Sequence, residues 1–456
     1  MIALSLQKIA EVTGGELVGD NVSVSAICTD TRSLEDNSLF VAIKGEHFDA
    51  HDVLESGPPK DITAALVSRL VKLSAPQVLV EDTLIAFADI ANYLRRQSTA
   101  KVIGLTGSVG KTTVKEMIFC ILSNVGKTLA TKGNLNNHIG VPLTLSRIDD
   151  DTEYCVIEMG ANHPGEIAYL SKIVEPDIAL INNAAAAHLE GFGSLQGVAR
   201  AKGEIYQQLR EGAVSIVNLD DDFSSFWLSR INGEKILFSS RSEADVYAEN
   251  MSIDEHGYAS FDVISNGQSE KVQLGVIGAH NIQNALASIA CCVALNIPLP
   301  EIVEGISQFK GVSGRLERVQ LDEKLLFIND SYNANYQSLR SAVDIISTYQ
   351  EKKLLVLGDM GELGDTAREY HELAGVYARE HNIDYLLTVG TLSQFASKSF
   401  GTNAYHFNSK AELAQKIIDD FSNDKVIVLL KGSRSSRMEE IIDLVKDNNN
   451  KLERIH

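Results

Sequence analysis

The sequence predicts an α/β chain of three domains, and three observations carry that expectation. Its 456 residues exceed what one hydrophobic core usually organises. Short apolar runs alternate with stretches of helical period along most of the chain, the rhythm of parallel strands joined by helices. One glycine-rich loop, Gly104 to Thr113, stands directly between such a run and such a helix. The expected domains are a small α/β unit over 1–83, a central unit on a mostly parallel sheet over 84–313, and a Rossmann-like unit over 314–456.

In chain order, the β-like run Ser38 to Ile43 lies among turn-rich stretches such as Gly14-Gly15 and Gly57-Pro58-Pro59. A helical pattern from Leu84 to Arg96 leads into Lys101 to Leu105, a buried parallel strand by its apolar content. After the glycine loop, Val114, Met117, Ile118, Ile121, Leu122 and Val125 recur at helical spacing, with Gly126 placed as a C-cap. Tyr154 to Met159, Asp177 to Asn182 and Ala213 to Asn218 read as further central strands. Beyond Gly311 to Gly314 the alternation restarts, with strands expected at Lys353 to Leu357, Tyr385 to Val389 and Lys425 to Leu430. The polar tail at Asn448, Asn449 and Asn450 is expected to fray.

Hydrophobic residues at 44% and charged residues at 22% are ordinary for a globular chain and argue against long disorder. The formal charge of −20 repels nucleic acid and anionic membranes, so an anionic ligand must be held locally. Backbone N–H groups, a few cations or a divalent metal would have to do this. Cys28, Cys120, Cys155, Cys291 and Cys292 have neither paired spacing nor a clustered His partner and read as reduced packing residues. The N-terminus lacks the features of a signal peptide and no stretch reaches the length of a membrane span, so a cytoplasmic chain without membrane insertion is expected.

In GLTGSVGKTT, glycines would let N–H groups converge on phosphate oxygens, Lys111 would reach the terminal phosphates and the Thr112 hydroxyl would ligate Mg²⁺. Leu105 occupies the position of the usual first glycine, so Gly107 is expected to make the turn. Glu158 ends an apolar strand and should lie at the carboxyl edge of the sheet, either as a hard oxygen ligand opposite Thr112 or paired with a lysine. His188 follows another strand-end loop, where a surface hydrogen-bonding role competes with metal ligation. Lys202 shares a helix face with Val198, Ile205, Tyr206 and Leu209. Desolvation there would leave a neutral amine able to take up CO₂, whereas a snorkelling stem would place the same residue for no chemical reason.

Four blocks occur together: GLTGSVGKTT (104–113), IEMGANHPGEI (157–167), NNAAAAHLEGFGS (182–194) and ARAKGEI (199–205). They resemble the Mur ligases. With GAHNIQNAL (278–286), GRLER (314–318) and NDSYNAN (329–335), their order looks closest to the MurF type, and the resemblance spans essentially the whole chain. It implies a UDP-substrate domain, a central ATPase domain and a C-terminal domain that together join D-alanyl-D-alanine to a UDP-N-acetylmuramoyl-tripeptide. ATP would activate the carboxylate as an acyl phosphate, two Mg²⁺ ions would assist, and a monomer is expected.

Carried over by the resemblance, Gly107, Ser108, Val109, Gly110, Lys111, Thr112 and Thr113 would cradle the phosphates. Thr112 and Glu158 would ligate one Mg²⁺, and His188 with carbamylated Lys202 the second; Lys111, His188 and Lys202 would be the catalytic set. His280, Asn281 and Asn284 would approach the adenine, Arg315 the phosphates, and Asp330 the ribose or phosphate region. Asp30, Thr31 and Arg32, with the Lys44-Gly45-Glu46 segment, resemble UDP-binding segments, and Asn136 and Asn137 resemble contacts to the muramoyl peptide. Ala50 and Tyr336 stand where the pattern usually has Gly and Pro.

The chemistry suits the composition. A carboxylate and a triphosphate repel each other, so their reaction needs local positive charge and in-line positioning that an acidic chain cannot supply diffusely. An acyl phosphate also needs exclusion of water, which closing domains provide. A folylpolyglutamate synthetase-like ligase shares the ATP chemistry but begins near its phosphate loop, and a non-enzymatic nucleotide-gated switch would need no Lys202 carbamate.

Overall fold

The computed structural model describes residues 1–45, 48–57, 62–185, 189–361, 363–422 and 424–453. Its strands form three large sheets in chain order, each with its own core, and a two-stranded ribbon that pairs Leu4–Ser5 with Ser23–Val24. The first large sheet runs Glu16–Val18, Gln77–Leu79, Ala64–Val67, Ser38–Val41, Ala26–Cys28, parallel except for its first strand. Helix Thr83–Gln97 belongs to two cores at once. Ala86, Phe87, Ile90 and Leu94 pack on this sheet, while Ala88 and Ala91 pack on the next. Buried Arg95 ties the helix to Asp177 at 2.8 Å and to the Val174 carbonyl at 3.1 Å.

The central sheet has nine strands with Lys101–Thr106 between Tyr154–Glu158 and Ile178–Ile181, all parallel. Alternate residues enter opposite cores: Val102, Cys155, Ile157 and Ala179 on one face, Ile103, Leu105, Val156 and Leu180 on the other. This two-sided burial is why these runs are apolar throughout. The chain leaves Lys101–Thr106 to one side and later returns to its other side, so the loops after residues 106 and 181 diverge around a crevice at the carboxyl ends of the strands.

The sheet is wider than the sequence suggests. Glu234–Ser239 and Val246–Ile253 add parallel strands, and Tyr258–Ser265 and Gln268–Ile277 continue from Val246–Ile253 as an antiparallel meander. The helix after the glycine loop, Lys111–Ser123, is capped by Asn124, not by Gly126. Gly126 answers a different need, since a Cβ there would lie 2.8 Å from Glu153 Oε1 and from Tyr154 Cε2.

The third sheet runs Glu317–Gln320, Leu325–Asp330, Val426–Lys431, Lys352–Leu357, Tyr385–Val389, Ala404–Phe407, parallel except at its first strand. The polar tail does not fray at residues 448–450, which continue helix Glu440–Glu453. Among the described residues the five cysteines form no disulfide, and four of them are buried. Among the described residues no helix is long and apolar enough to cross a membrane.

Candidate active site

Gly110, at φ 80°, makes the left-handed turn that starts helix Lys111–Ser123, and no side chain caps that helix. The N–H groups of its first turn are therefore open to an anion. Gly107, expected to make this turn, has an ordinary φ and is required for closeness instead: a Cβ there would stand 3.1 Å from Asn182 Cβ. Asn182 and Asn183, to which no role was assigned from sequence, clamp the loop. Ser108 N–H donates to the Asn183 carbonyl at 3.0 Å and Val109 N–H to Asn183 Oδ1 at 2.9 Å, while both asparagine amides donate to the Val109 carbonyl at 2.9 Å. Two adjacent asparagines after an apolar strand were the available signal.

Thr112 and Glu158 meet. The Thr112 hydroxyl donates to Glu158 Oε2 at 2.9 Å, and Asn136 Nδ2 donates to Oε1 at 2.8 Å. Glu158 N–H donates to Thr131 Oγ1 at 3.0 Å, and buried Lys115 holds the Thr131 carbonyl at 2.7 Å. Arg315 reaches across from the segment just before the third sheet, its Nη2 donating to Thr112 Oγ1 at 3.0 Å with the guanidinium 4.2 Å from the Tyr332 ring centre. Its buried Nε has no partner among the described residues. Thr112, Asn136, Glu158, Arg315 and Tyr332 line a cavity of about 680 Å³, together with residues 333–335 and 433–435.

Lys111, half-buried, folds back on the Gly107 and Ser108 carbonyls at 2.8 and 3.4 Å. Burial lowers its pKa, Glu158 partly opposes this, and Arg315 adds to the lowering. Asn137 lines the cavity and spends its side-chain oxygen on the Ile139 and Gly140 N–H groups that open helix Gly140–Leu145.

A second cavity, of about 360 Å³, is lined by Thr113, His280, Asn281, Asn284, Arg315 and Asp330, the residues expected around a nucleotide. A chain of amides runs beneath it: Asn182 donates to Asn284 at 3.0 Å, Asn284 to Asn281 at 2.9 Å, and Asn281 to the Ile277 carbonyl at 2.8 Å. Asn281 and Asn284 are buried and hydrogen-bonded to each other, which leaves His280 as the accessible member of the trio.

Lys202 lies on helix Leu195–Gln207, buried with Val198, Ile205 and Tyr206; Leu209 falls beyond the helix end but packs on the same core. Its ammonium sits 5.5 Å from the Phe192 ring centre and makes no hydrogen bond among the described residues. The nearby carboxylates are engaged elsewhere, Glu166 by the Asn162 and His163 N–H groups and Glu204 by those of Gly165 and Ala168. Burial and the charge of Lys111 push the Lys202 amine down to about 7, against the pull of Glu166 and Glu204. His188 lies outside the described residues.

Among the described residues, none from the first sheet or its flanking segments lines either cavity. Asp30 caps the short turn Thr31–Ser33 and pairs with exposed Arg32 at 2.6 Å, which holds its carboxyl down at about 2. Lys44 is exposed beside a bridge to Asp49, and Glu46 lies outside the described residues. Ala50 opens helix Ala50–Ser56 behind its Asp49 cap, and Tyr336 opens helix Tyr336–Ser347 behind an Asn335–Ser338 capping box.

Residues 105–292 match the Mur ligase middle domain and residues 314–434 the Mur ligase, glutamate ligase domain. The UDP-N-acetylmuramoyl-tripeptide–D-alanyl-D-alanine ligase of Escherichia coli (strain K12) is 43% identical over 451 residues, covering 98% of this chain and 99% of that protein. MurF from Acinetobacter baumannii superposes with a TM-score of 0.90 at 36% identity, over 98% of this chain and 99% of that one. MurF from Thermotoga maritima in complex with ADP superposes with a TM-score of 0.82 at 25% identity, over 94% and 98%.

Proposed function

Because the chain belongs to the Mur ligase family, and so is an ATP-dependent peptide ligase, we propose that it joins D-alanyl-D-alanine to a UDP-N-acetylmuramoyl-tripeptide in cytoplasmic peptidoglycan precursor synthesis. The observation that carries this reading is the convergence of Thr112, Glu158 and Arg315 from three separate segments on the open start of the phosphate-loop helix. That helix end, Lys111 and Arg315 concentrate positive character where a −20 chain would otherwise repel both reactants. The match to the E. coli ligase also runs through the first sheet, ahead of the phosphate loop, where a UDP-bearing acceptor needs a docking surface and a folate acceptor does not. Asp30, Thr31, Arg32 and Lys44 are the residues proposed for that surface, and Asn136 and Asn137 for the muramoyl peptide.

In the reaction, the tripeptide carboxylate attacks the terminal phosphate of ATP and the resulting acyl phosphate is opened by the dipeptide amine, with release of ADP and phosphate. Arg315 spans the cleft between the two larger sheets, so the contact that brings charge to the phosphates also narrows the path of water to the intermediate. The residues fit a divalent cation: Thr112 Oγ1 and Glu158 are hard oxygens already 2.9 Å apart at the phosphate loop. Mg²⁺ bound there would neutralise charge between the phosphates. Lys202 fits carbamylation, because a buried amine near pKa 7 without a hydrogen-bond partner is neutral enough to add to CO₂ with loss of a proton. The carbamate would give an anionic oxygen for a second ion, shared with His188.

The direct test is the product. Incubation with ATP, Mg²⁺, UDP-N-acetylmuramoyl-tripeptide and D-alanyl-D-alanine should yield a species heavier than the acceptor by the dipeptide less one water. No such mass, or an equal yield with folate and glutamate, would overturn the reading.

A further inference from the structure

Lys431 ends strand Val426–Lys431 in the middle of the third sheet, in register with Asp330 on one side and Leu357 on the other. It is 1% exposed, yet its ammonium sits at the wall of the smaller cavity. Nζ donates to Asp330 Oδ2 at 2.5 Å and to the Asn333 carbonyl at 3.2 Å. The other oxygen of Asp330 accepts from Leu316 N–H at 3.3 Å, and Leu316 is held in the left-handed region at φ 50°. A leucine is strained there and needs an outside hold. Its neighbour in sequence is Arg315, whose guanidinium reaches Thr112. One buried cation therefore supports, through one carboxylate, both the wall of the cavity and the turn that aims Arg315 at the phosphate loop.

A buried ion pair is a poor device for stability alone, because well-packed apolar residues of similar volume usually serve as well. At the carboxyl ends of parallel strands, where ligands of such sheets bind, it has a second use. We propose that Lys431 is a positioning residue for the nucleotide. It fixes Asp330 so that the carboxylate can meet the ribose side of the ligand, and it keeps the Leu316 turn wound so that Arg315 points at the phosphates. The inference rests on the reading of this cavity as the nucleotide site.

The test compares Lys431→Met, Asp330→Asn and the double variant in the full-length protein, by calorimetric titration with ADP and Mg²⁺ and by steady-state kinetics. Lys431→Met should weaken ADP and raise KM for ATP roughly tenfold, the loss of one charge-assisted hydrogen bond, while KM for the UDP-linked acceptor stays within about twofold. The double variant, which buries no unpaired charge, should melt near the wild type and bind ADP no worse than Asp330→Asn alone, because the two side chains act as one unit. Wild-type ADP affinity in the folded double variant would overturn the proposal. So would a parallel loss of affinity for nucleotide and acceptor that merely tracks a falling melting temperature. ADP titration needs neither acceptor nor dipeptide, so it decides this inference even where the wild type forms no amide, an outcome that would overturn only the proposed substrates.

Discussion

Glu158 and Lys202 are each 2% exposed in the same domain, and they meet the cost of burial in opposite ways. Glu158 is surrounded by donors: Thr112 and Asn136 serve its two oxygens, and its own N–H is bonded to Thr131. Lys202 has an aromatic ring and apolar neighbours, while Glu166 and Glu204 are turned to backbone N–H groups. A carboxylate whose two oxygens both accept from placed donors is fixed in position, aimed at where a cation would sit. An amine denied partners is released from its proton and becomes a nucleophile. On the proposed two-metal reading, the difference separates a ligand that folding completes from one that folding only prepares.

Removing the prepared group should have the largest effect. Lys202→Ala should lower turnover on the order of 10²-fold or more, and formate or acetate should restore part of it while methylamine does not, since the missing feature is an anion. Rescue by methylamine alone would make Lys202 a working cation and erase the contrast with Glu158. Glu158→Gln keeps the shape and removes the charge, so the Mg²⁺ concentration for half-maximal rate should rise roughly 10-fold. An unchanged Mg²⁺ titration would leave Glu158 as an organiser of the strand end. Asn136→Ala removes one donor and leaves the charge, so the same titration should shift by only a few-fold, on the scale of one hydrogen bond to a charged group.

The smallest effect concerns stability. The unfolded chain keeps the Lys202 proton up to the ordinary lysine value of 10.5, the folded chain only up to about 7. Between those values the unfolded state binds more protons, so this group makes the fold more stable as pH rises, and below about 7 the gain is gone. In CO₂-free buffer, Lys202→Met should flatten the rise of melting temperature between pH 7 and 8.5 by roughly 1–3 °C. A parallel profile for wild type and variant would mean the amine is charged in the fold.

The same contrast explains what was legible in the sequence. The central strands were legible because two-sided burial leaves unbroken apolar runs, and Thr112, Glu158 and Lys202 because a local pattern fixes each one's edge or face. Partnership was not. Nothing in the chain near Glu158 announces Asn136, and Asn182 and Asn183 clamp a loop more than seventy residues away from them. Gly107 and Gly110 divide their work by what stands opposite, which only tertiary contact reveals. The hairpins from Val246 to Ile277 were not legible although Tyr258–Ser265 alternates buried and half-buried residues, because Val246–Ile253 is mostly exposed and its apolar residues do not alternate with polar ones. Lys431 looks like one more cation at a strand end until Asp330 arrives beside it in register.

All of these roles presuppose that the acceptor carboxylate takes the phosphate before the amine attacks. With oxygen-18 in that carboxylate, turnover in the presence of ATP, Mg²⁺ and D-alanyl-D-alanine should place one labelled oxygen in each released phosphate, because the bond broken by the amine is the one from carbonyl carbon to bridging oxygen. Unlabelled phosphate formed in step with the amide would contradict the account, since the carboxylate would then never have carried the phosphoryl group.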